Sequence, residues 1–91
     1  MRITFDTGKD AVNIAKHGVS LAIAKELEWD TLRAGPDTRF PYPELRFVGY
    51  ALRADRLFCV VFTDRGVVRR IISLRKANRR EIRRYAQVRD N

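Results

Sequence analysis

An α+β fold, with two N-terminal helices and a C-terminal helix packed on an antiparallel sheet of about four strands, is predicted by three features of the sequence. Asp6 and Gly18 bracket a segment with helical punctuation at both ends. Residues 45–75 hold three runs that alternate or are apolar throughout, separated by the short turns Ala54-Asp55 and Asp64-Arg65-Gly66. Asn78, with Glu81 three residues later, opens a closing helix as a capping box does. Ninety-one residues fit one small domain, spanning 1–91, with a thin core.

Arg2-Ile3-Thr4-Phe5 alternates as a strand does. Asp6 then caps a helix over 7–16, and Gly18 suits a left-handed C-cap. Val19-Ser20 restarts the chain with an apolar residue and a capping hydroxyl. Leu21, Ile23, Ala24, Leu27 and Trp29 give a second helix, antiparallel to the first, its buried side. Over 31–43, Gly35-Pro36-Asp37 and Pro41-Tyr42-Pro43 mark turns around a brief edge strand. Residues 45–53 alternate, and 57–63 are apolar on both faces, as expected of a central strand covered on both sides. A third long strand over 67–75 has Val68, Arg70, Ile72 and Leu74 on one face. Strict alternation puts Val67, Arg69, Ile71, Ser73 and Arg75 on the other. The last helix runs to about 88, anchored by Ile82, Tyr85, Ala86 and Val88. The sequence holds no repeat, linker or low-complexity segment.

Charge is placed unevenly. Residues 1–45 carry six Lys/Arg against seven Asp/Glu, and residues 46–91 thirteen against four, so the net +8 belongs to the second half. Fifteen of the nineteen cations are arginine, whose fork pairs bidentately with phosphate. One such arginine is ordinarily a snorkelling or ion-paired surface residue, but four acidic groups cannot neutralise thirteen cations. A polyanionic partner follows, and nucleic acid, an acidic protein or an anionic surface would each satisfy it. On the last helix Arg79 and Arg83 form one row, and Arg80 and Arg84 the next.

Lys9, Asn13, Lys16 and His17 share a face of the first helix, with Val12 and Ala15 opposite. His17 is the only histidine, suited either to proton transfer or to capping the helix C-terminus. One Cys and one His cannot build a zinc site, and there is no Gly-rich phosphate loop or nucleophile elbow, so phosphate chemistry here would use side chains alone, with no cofactor. A lone cysteine, Cys59, forms no internal bridge. Without a leader-like apolar segment or a run of about 18 apolar residues, the cytoplasm is the expected compartment and no membrane role is expected. Trp29 is expected to cap the core rather than to stack on a base.

Three stretches resemble the BrnT family. FDTGKDAVNIAKHGVSL is similar to its opening, whose Asp, Lys, Asn and Lys-His-Gly-Val fall on Asp6, Lys9, Asn13 and Lys16-His17-Gly18-Val19. DTRFPYPELRF resembles its Asp-Thr-Arg-Phe-x-Tyr-Gly-Glu-x-Arg-Phe segment, with Pro43 where glycine is usual. FTDRGVVRRIISLRKANRREIRRY resembles its Thr-x-Arg-Gly, Arg-Ile-Ile-Ser-x-Arg and Glu-x-x-x-Tyr signature, and the likeness covers about residues 3–85. The resemblance implies a toxin of a type II toxin–antitoxin pair, with a RelE-like fold and a metal-independent ribonuclease activity that halts translation. Its partner would be a BrnA-type antitoxin that masks the toxin and binds operator DNA through a ribbon-helix-helix domain. Operator DNA would be reached only through that antitoxin.

Carried onto this sequence, the resemblance implies that Lys16, His17, Glu44, Arg46, Arg65, Arg70, Arg75, Glu81 and Tyr85 matter. RNA can be cut without metal when its 2′-hydroxyl is deprotonated and attacks the adjacent phosphate. Arg65, Arg70 and Arg75 are then expected at the phosphate, Glu44 or His17 in proton transfer and Lys16 in either task. Lys9, Arg46, Lys76, Arg79, Arg83 and Tyr85 are expected to hold the RNA. Two other readings use the same cations: a nucleic-acid grip without chemistry, and a docking face for an acidic antitoxin helix.

Overall fold

The computed structural model describes residues 1–90. The chain forms strand β1 (Arg2–Thr4), helix α1 (Thr7–His17), a 3-10 segment (Leu21–Glu26), strands β2 (Glu28–Pro36), β3 (Phe47–Arg53), β4 (Arg56–Arg65) and β5 (Val68–Lys76), and helix α2 (Arg79–Asp90). The sheet has five strands rather than about four, in the order β1-β5-β4-β3-β2, and its first strand runs parallel to β5. The apolar run is the central strand, and all of its residues from Leu57 to Thr63 are buried.

Helix α1 begins and ends as its sequence requires. The Asp6 carboxylate accepts the Lys9 N–H at 2.9 Å, and Gly18 takes the left-handed conformation, φ 72°, while its N–H donates to the Ile14 carbonyl. The expected second α-helix is instead a single 3-10 segment. Its core-facing residues, Leu21, Ala24 and Leu27, recur every three positions, which the three-residue turn of a 3-10 helix stacks on one side. Asp10 of α1 fixes its start by accepting the Leu21 N–H at 2.6 Å, and Trp29 Nε1 donates to the Ala24 carbonyl at its end.

The brief edge strand expected near Thr31 is a nine-residue strand that opens directly after this segment. A register break hides it in the sequence: Glu28 opposes Leu52, but Arg33 opposes Tyr50. Within the break the Thr31 hydroxyl oxygen accepts the Leu52 N–H at 2.9 Å, so a side chain stands in for a ladder carbonyl. Beyond it β2 lies so close on β3 that a Cβ at Gly49 would stand 2.6 Å from the Arg33 carbonyl oxygen.

Apolar side chains of one sheet face pack beneath α1 and the 3-10 segment. Phe58, Val60, Phe62, Ile71 and Leu74 meet Val19, Leu21 and Ala24, with Trp29 edge-on to Phe62 and Phe47 stacked on it. Arg69 lies on this face, its guanidinium 4.2 Å from the Phe62 ring centre and forked to Asp64, so it is spent on structure. Asn13 fastens α1 to the outer edge of β5. β1 pairs with β5 only as far as Arg70, and past that point the buried Asn13 amide donates to the Leu74 and Val19 carbonyls at 2.8 Å and accepts the Leu74 N–H at 3.2 Å.

The capping box of α2 forms as read: the Asn78 side chain accepts the Glu81 N–H and the Glu81 carboxylate accepts the Asn78 N–H. Of its expected anchoring stripe only Tyr85 is buried, its hydroxyl donating to the Thr31 carbonyl, whereas Ile82, Ala86 and Val88 are exposed. No helix among the described residues is long and apolar enough to cross a membrane.

Candidate nucleic-acid interface

One irregularity decides which cations share a surface. On β4 the residues Cys59, Val61 and Thr63 face away from the helical core, opposite Arg75, Ser73 and Arg70 of β5. A register shift at Val61/Phe62 leaves Ile72 as an extra residue, because Ser73 opposes Val61 while Ile71 opposes Phe62. Strict alternation separates Arg70 from Arg75, an odd number of residues apart; the bulge puts both on the polar face and Arg69 on the core face. The sequence-based assignment of faces over 67–75 is corrected accordingly.

This face is the floor of a trough. Its middle, a hollow of about 650 Å³, is lined by Val48 and Tyr50 of β3, by Cys59 and Val61, by Ser73 and Arg75, and on its rims by Lys16, His17, Arg39 and Arg46. Arg46 and Ile72 also line a neighbouring hollow with Lys9, Glu44 and Arg70. Glu44 and Arg70 lead on to a third hollow with Arg65. Seven cations (Lys9, Lys16, Arg39, Arg46, Arg65, Arg70 and Arg75) thus border one continuous surface. Against them stand Asp37 and Glu44 on the rim and Glu81 behind Arg75, a surplus of four positive charges. Asn13 sets one wall, because locking it to β5 turns Lys9, Lys16 and His17, one turn either side, toward the polar face.

The carboxylates have assigned partners. Glu81 receives four hydrogen bonds, two from Arg75, one from the Tyr50 hydroxyl and one from the Asn78 N–H, each 2.8 Å. The Arg75 fork, more than any other contact, holds its carboxyl down at about 2. Arg75 is correspondingly held above the usual guanidinium value. Burial first, and the bond to Glu81 second, push the Tyr50 phenol up, so it stays protonated. Burial likewise pushes the Cys59 thiol up, which keeps it a poor nucleophile. The buried Asp37 carboxylate is forked by Arg39, whose hydrogen bonds lower it. Arg65 pairs with Glu44 in the open. Among the described residues Lys9, Lys16, His17 and Arg70 form no salt bridge, although Arg70 and Lys9 both help to lower Asp6.

Lys16, His17, Glu44, Arg65, Arg70 and Arg75, together with Lys9 and Arg46, therefore border the trough. The other expected RNA contacts do not. Lys76 lies opposite Phe58 on the core-facing side of the sheet, and Arg79 and Arg83 project from α2 without lining any of the hollows. Tyr85 is buried as the anchor of α2. Arg39, Tyr50 and Ser73 escaped the sequence reading. Tyr50 had one usable signal, its period-two spacing from Val48 on an alternating strand. Among the described residues no three His, Cys, Asp or Glu side chains gather so as to hold a metal ion.

A search of curated proteins found no match. The family model described as "Ribonuclease toxin, BrnT, of type II toxin-antitoxin system" matches residues 5–81, which take in α1, the whole trough and Glu81. With most of its length matched, including every element that builds the cationic face, the chain belongs to the BrnT family of ribonuclease toxins of type II toxin–antitoxin systems.

Proposed function

We propose that this chain is a metal-independent endoribonuclease that cuts RNA in the cationic trough and so stops translation in the cytoplasm. The observation that carries the reading is the bulge at Ile72, which brings Arg70 and Arg75 onto the face rimmed by Lys16 and His17. In this chemistry the RNA 2′-hydroxyl attacks the neighbouring phosphorus, leaving a 2′,3′-cyclic phosphate on one product and a 5′-hydroxyl on the other. His17 or Glu44 takes the 2′-hydroxyl proton, the other group or Lys16 delivers one to the departing 5′-oxygen, and arginine stabilises the charge that builds on the phosphoryl oxygens. Arg70 suits that last task because among the described residues no salt bridge claims it, whereas Arg75 has its fork on Glu81 and only its remaining N–H groups to offer. Arg65, beside Glu44, holds a flanking phosphate. We read the five-stranded arrangement as RelE-like, and the neutralising partner as a BrnA-type antitoxin whose ribbon-helix-helix domain alone reaches operator DNA.

Purified protein incubated with RNA in the presence of a chelator tests this directly. New 5′-hydroxyl ends with 2′,3′-cyclic phosphates are expected, and Arg70→Ala or Arg75→Ala should each slow their appearance on the order of 100-fold. Full cleavage and growth arrest with Arg75→Ala would remove Arg75 from the chemistry. Binding without new ends would make the trough a grip and not a nuclease.

A further inference from the structure

We propose that the loop over 38–46, between β2 and β3, is a stacking platform for an unpaired base of single-stranded RNA, with Phe40 as the ring on which the base lies. The proposal rests on the ribonuclease reading and names the form of nucleic acid the trough takes.

Phe40 is 65% exposed and Leu45 64%, so both present apolar surface to water from a loop that is otherwise well tied down. The loop is pinned at its base, where the Asp37 N–H donates to the Arg46 carbonyl at 2.7 Å and the Asp37 carboxylate forks Arg39. The Thr63 hydroxyl holds the Leu45 carbonyl at 2.9 Å, and Pro41 and Pro43 remove two backbone freedoms. Within it the Phe40 and Tyr42 rings meet edge-on at 5.8 Å, and the Arg46 guanidinium lies 4.0 Å from the centre of the Tyr42 ring. Tyr42 is thereby occupied, and Phe40 is the ring left facing water.

Position and charge select the ligand. Arg39 and Arg46 belong both to this loop and to the trough, so a strand whose phosphates lie along the trough passes the Phe40 ring. Proteins that hold single strands combine these two features, a cationic groove for the backbone and an aromatic face for a base. In a duplex the base faces are covered by their neighbours, and a phenyl ring cannot reach them. An apolar protein segment would need a wider apolar surface than one ring and one leucine between arginines.

The test is fluorescence anisotropy with a 2′-O-methyl oligonucleotide, which lacks the attacking hydroxyl, single-stranded and in a duplex of the same sequence. Phe40→Ala and Phe40→Leu should each weaken single-strand binding about tenfold, within the range for losing one base–aromatic stack, and leave duplex binding as it was. Phe40→Trp should bind within about twofold of wild type, and unchanged thermal melting of the variants checks the fold. No single-strand loss in Phe40→Ala overturns the platform. Wild-type binding by Phe40→Leu also overturns it, since the loop would then offer apolar surface to a protein and not a π face to a base. Cleavage of an unmodified strand, measured beside it, separates the two claims: cleavage without Phe40-dependent binding sinks the platform alone, and Phe40-dependent binding without cleavage sinks the nuclease alone. A wild-type protein that neither binds the modified strand nor cleaves the unmodified one overturns both.

Discussion

Replacing Glu81 by Gln should change how stability depends on pH more than it changes the fold. Glu81 is the residue through which α2, β3 and β5 meet: its carboxylate holds Arg75, Tyr50 and the Asn78 N–H at once. Folding lowers its carboxyl from 4.5 to about 2, and at 1.36 kcal/mol per pKa unit the charged form is favoured by at most about 3 kcal/mol. The Glu81 side chain is only 13% exposed, but it lies in the outer shell of a small fold and its partner Arg75 is 37% exposed. Screening by the nearby water reduces the figure to about 1–2 kcal/mol. Because the folded-state value is the depressed one, this stability is fully present above about pH 4.5 and is lost as pH falls toward 2. Urea unfolding followed by the single tryptophan, Trp29, which packs edge-on against Phe62, reads it directly. Wild type should exceed Glu81→Gln by about 1–2 kcal/mol at pH 6, and the gap should narrow steadily below pH 4.5. Taking the difference between the two proteins cancels the acid sensitivity contributed by Asp6 and Asp37, whose carboxyls are also lowered. A gap that stays constant down to pH 2.5, or no gap at pH 6, would refute the argument that Arg75 spends its fork on this carboxylate.

Asn13→Ala removes three hydrogen bonds and strands the Leu74 N–H and carbonyl against a buried helix face, which should cost about 3 kcal/mol. A loss of unfolding free energy in urea of less than about 1 kcal/mol would mean that α1 is not held to β5 by this amide. Gly49→Ala forces a Cβ to within 2.6 Å of both the Arg33 carbonyl oxygen and the Ala34 Cβ, so β2 must lift from β3. Hydrogen exchange should quicken along 33–36 while the amides between β4 and β5 keep their protection, and uniform protection in both strands would contradict the close approach.

The ends of the elements were legible in the sequence because their signals are local. Asp6, Gly18 and the Asn78/Glu81 pair each act on backbone groups within four residues, and each does in the structure what its type and position require. The central place of β4 was legible as well, since a run without polar alternation sits between neighbouring strands; the cover expected on both sides is a helical layer on one face only, while Cys59 and Val61 line the trough on the other. Membership of the BrnT family was also readable from three ordered motifs, because side-chain identity is what a sequence records directly. The second N-terminal helix was misread because Leu21, Ala24 and Leu27 fit an α-helical and a three-residue period almost equally well over so short a span. β2 was misread because its ladder is interrupted by a hydroxyl.

The shared surface of Arg70 and Arg75 depended on tertiary structure. Their spacing puts them on opposite faces of a regular strand, and only pairing with β4 inserts the extra residue at Ile72 that rotates one of them round. The same pairing turned Arg69 into core structure over Phe62, and an amide sixty-one residues distant from Leu74 aimed Lys16 and His17 at the trough. Composition fixed how much positive charge the chain carries, since each side chain brings its own. Where that charge gathers is a matter of register, which two strands settle jointly and neither encodes alone.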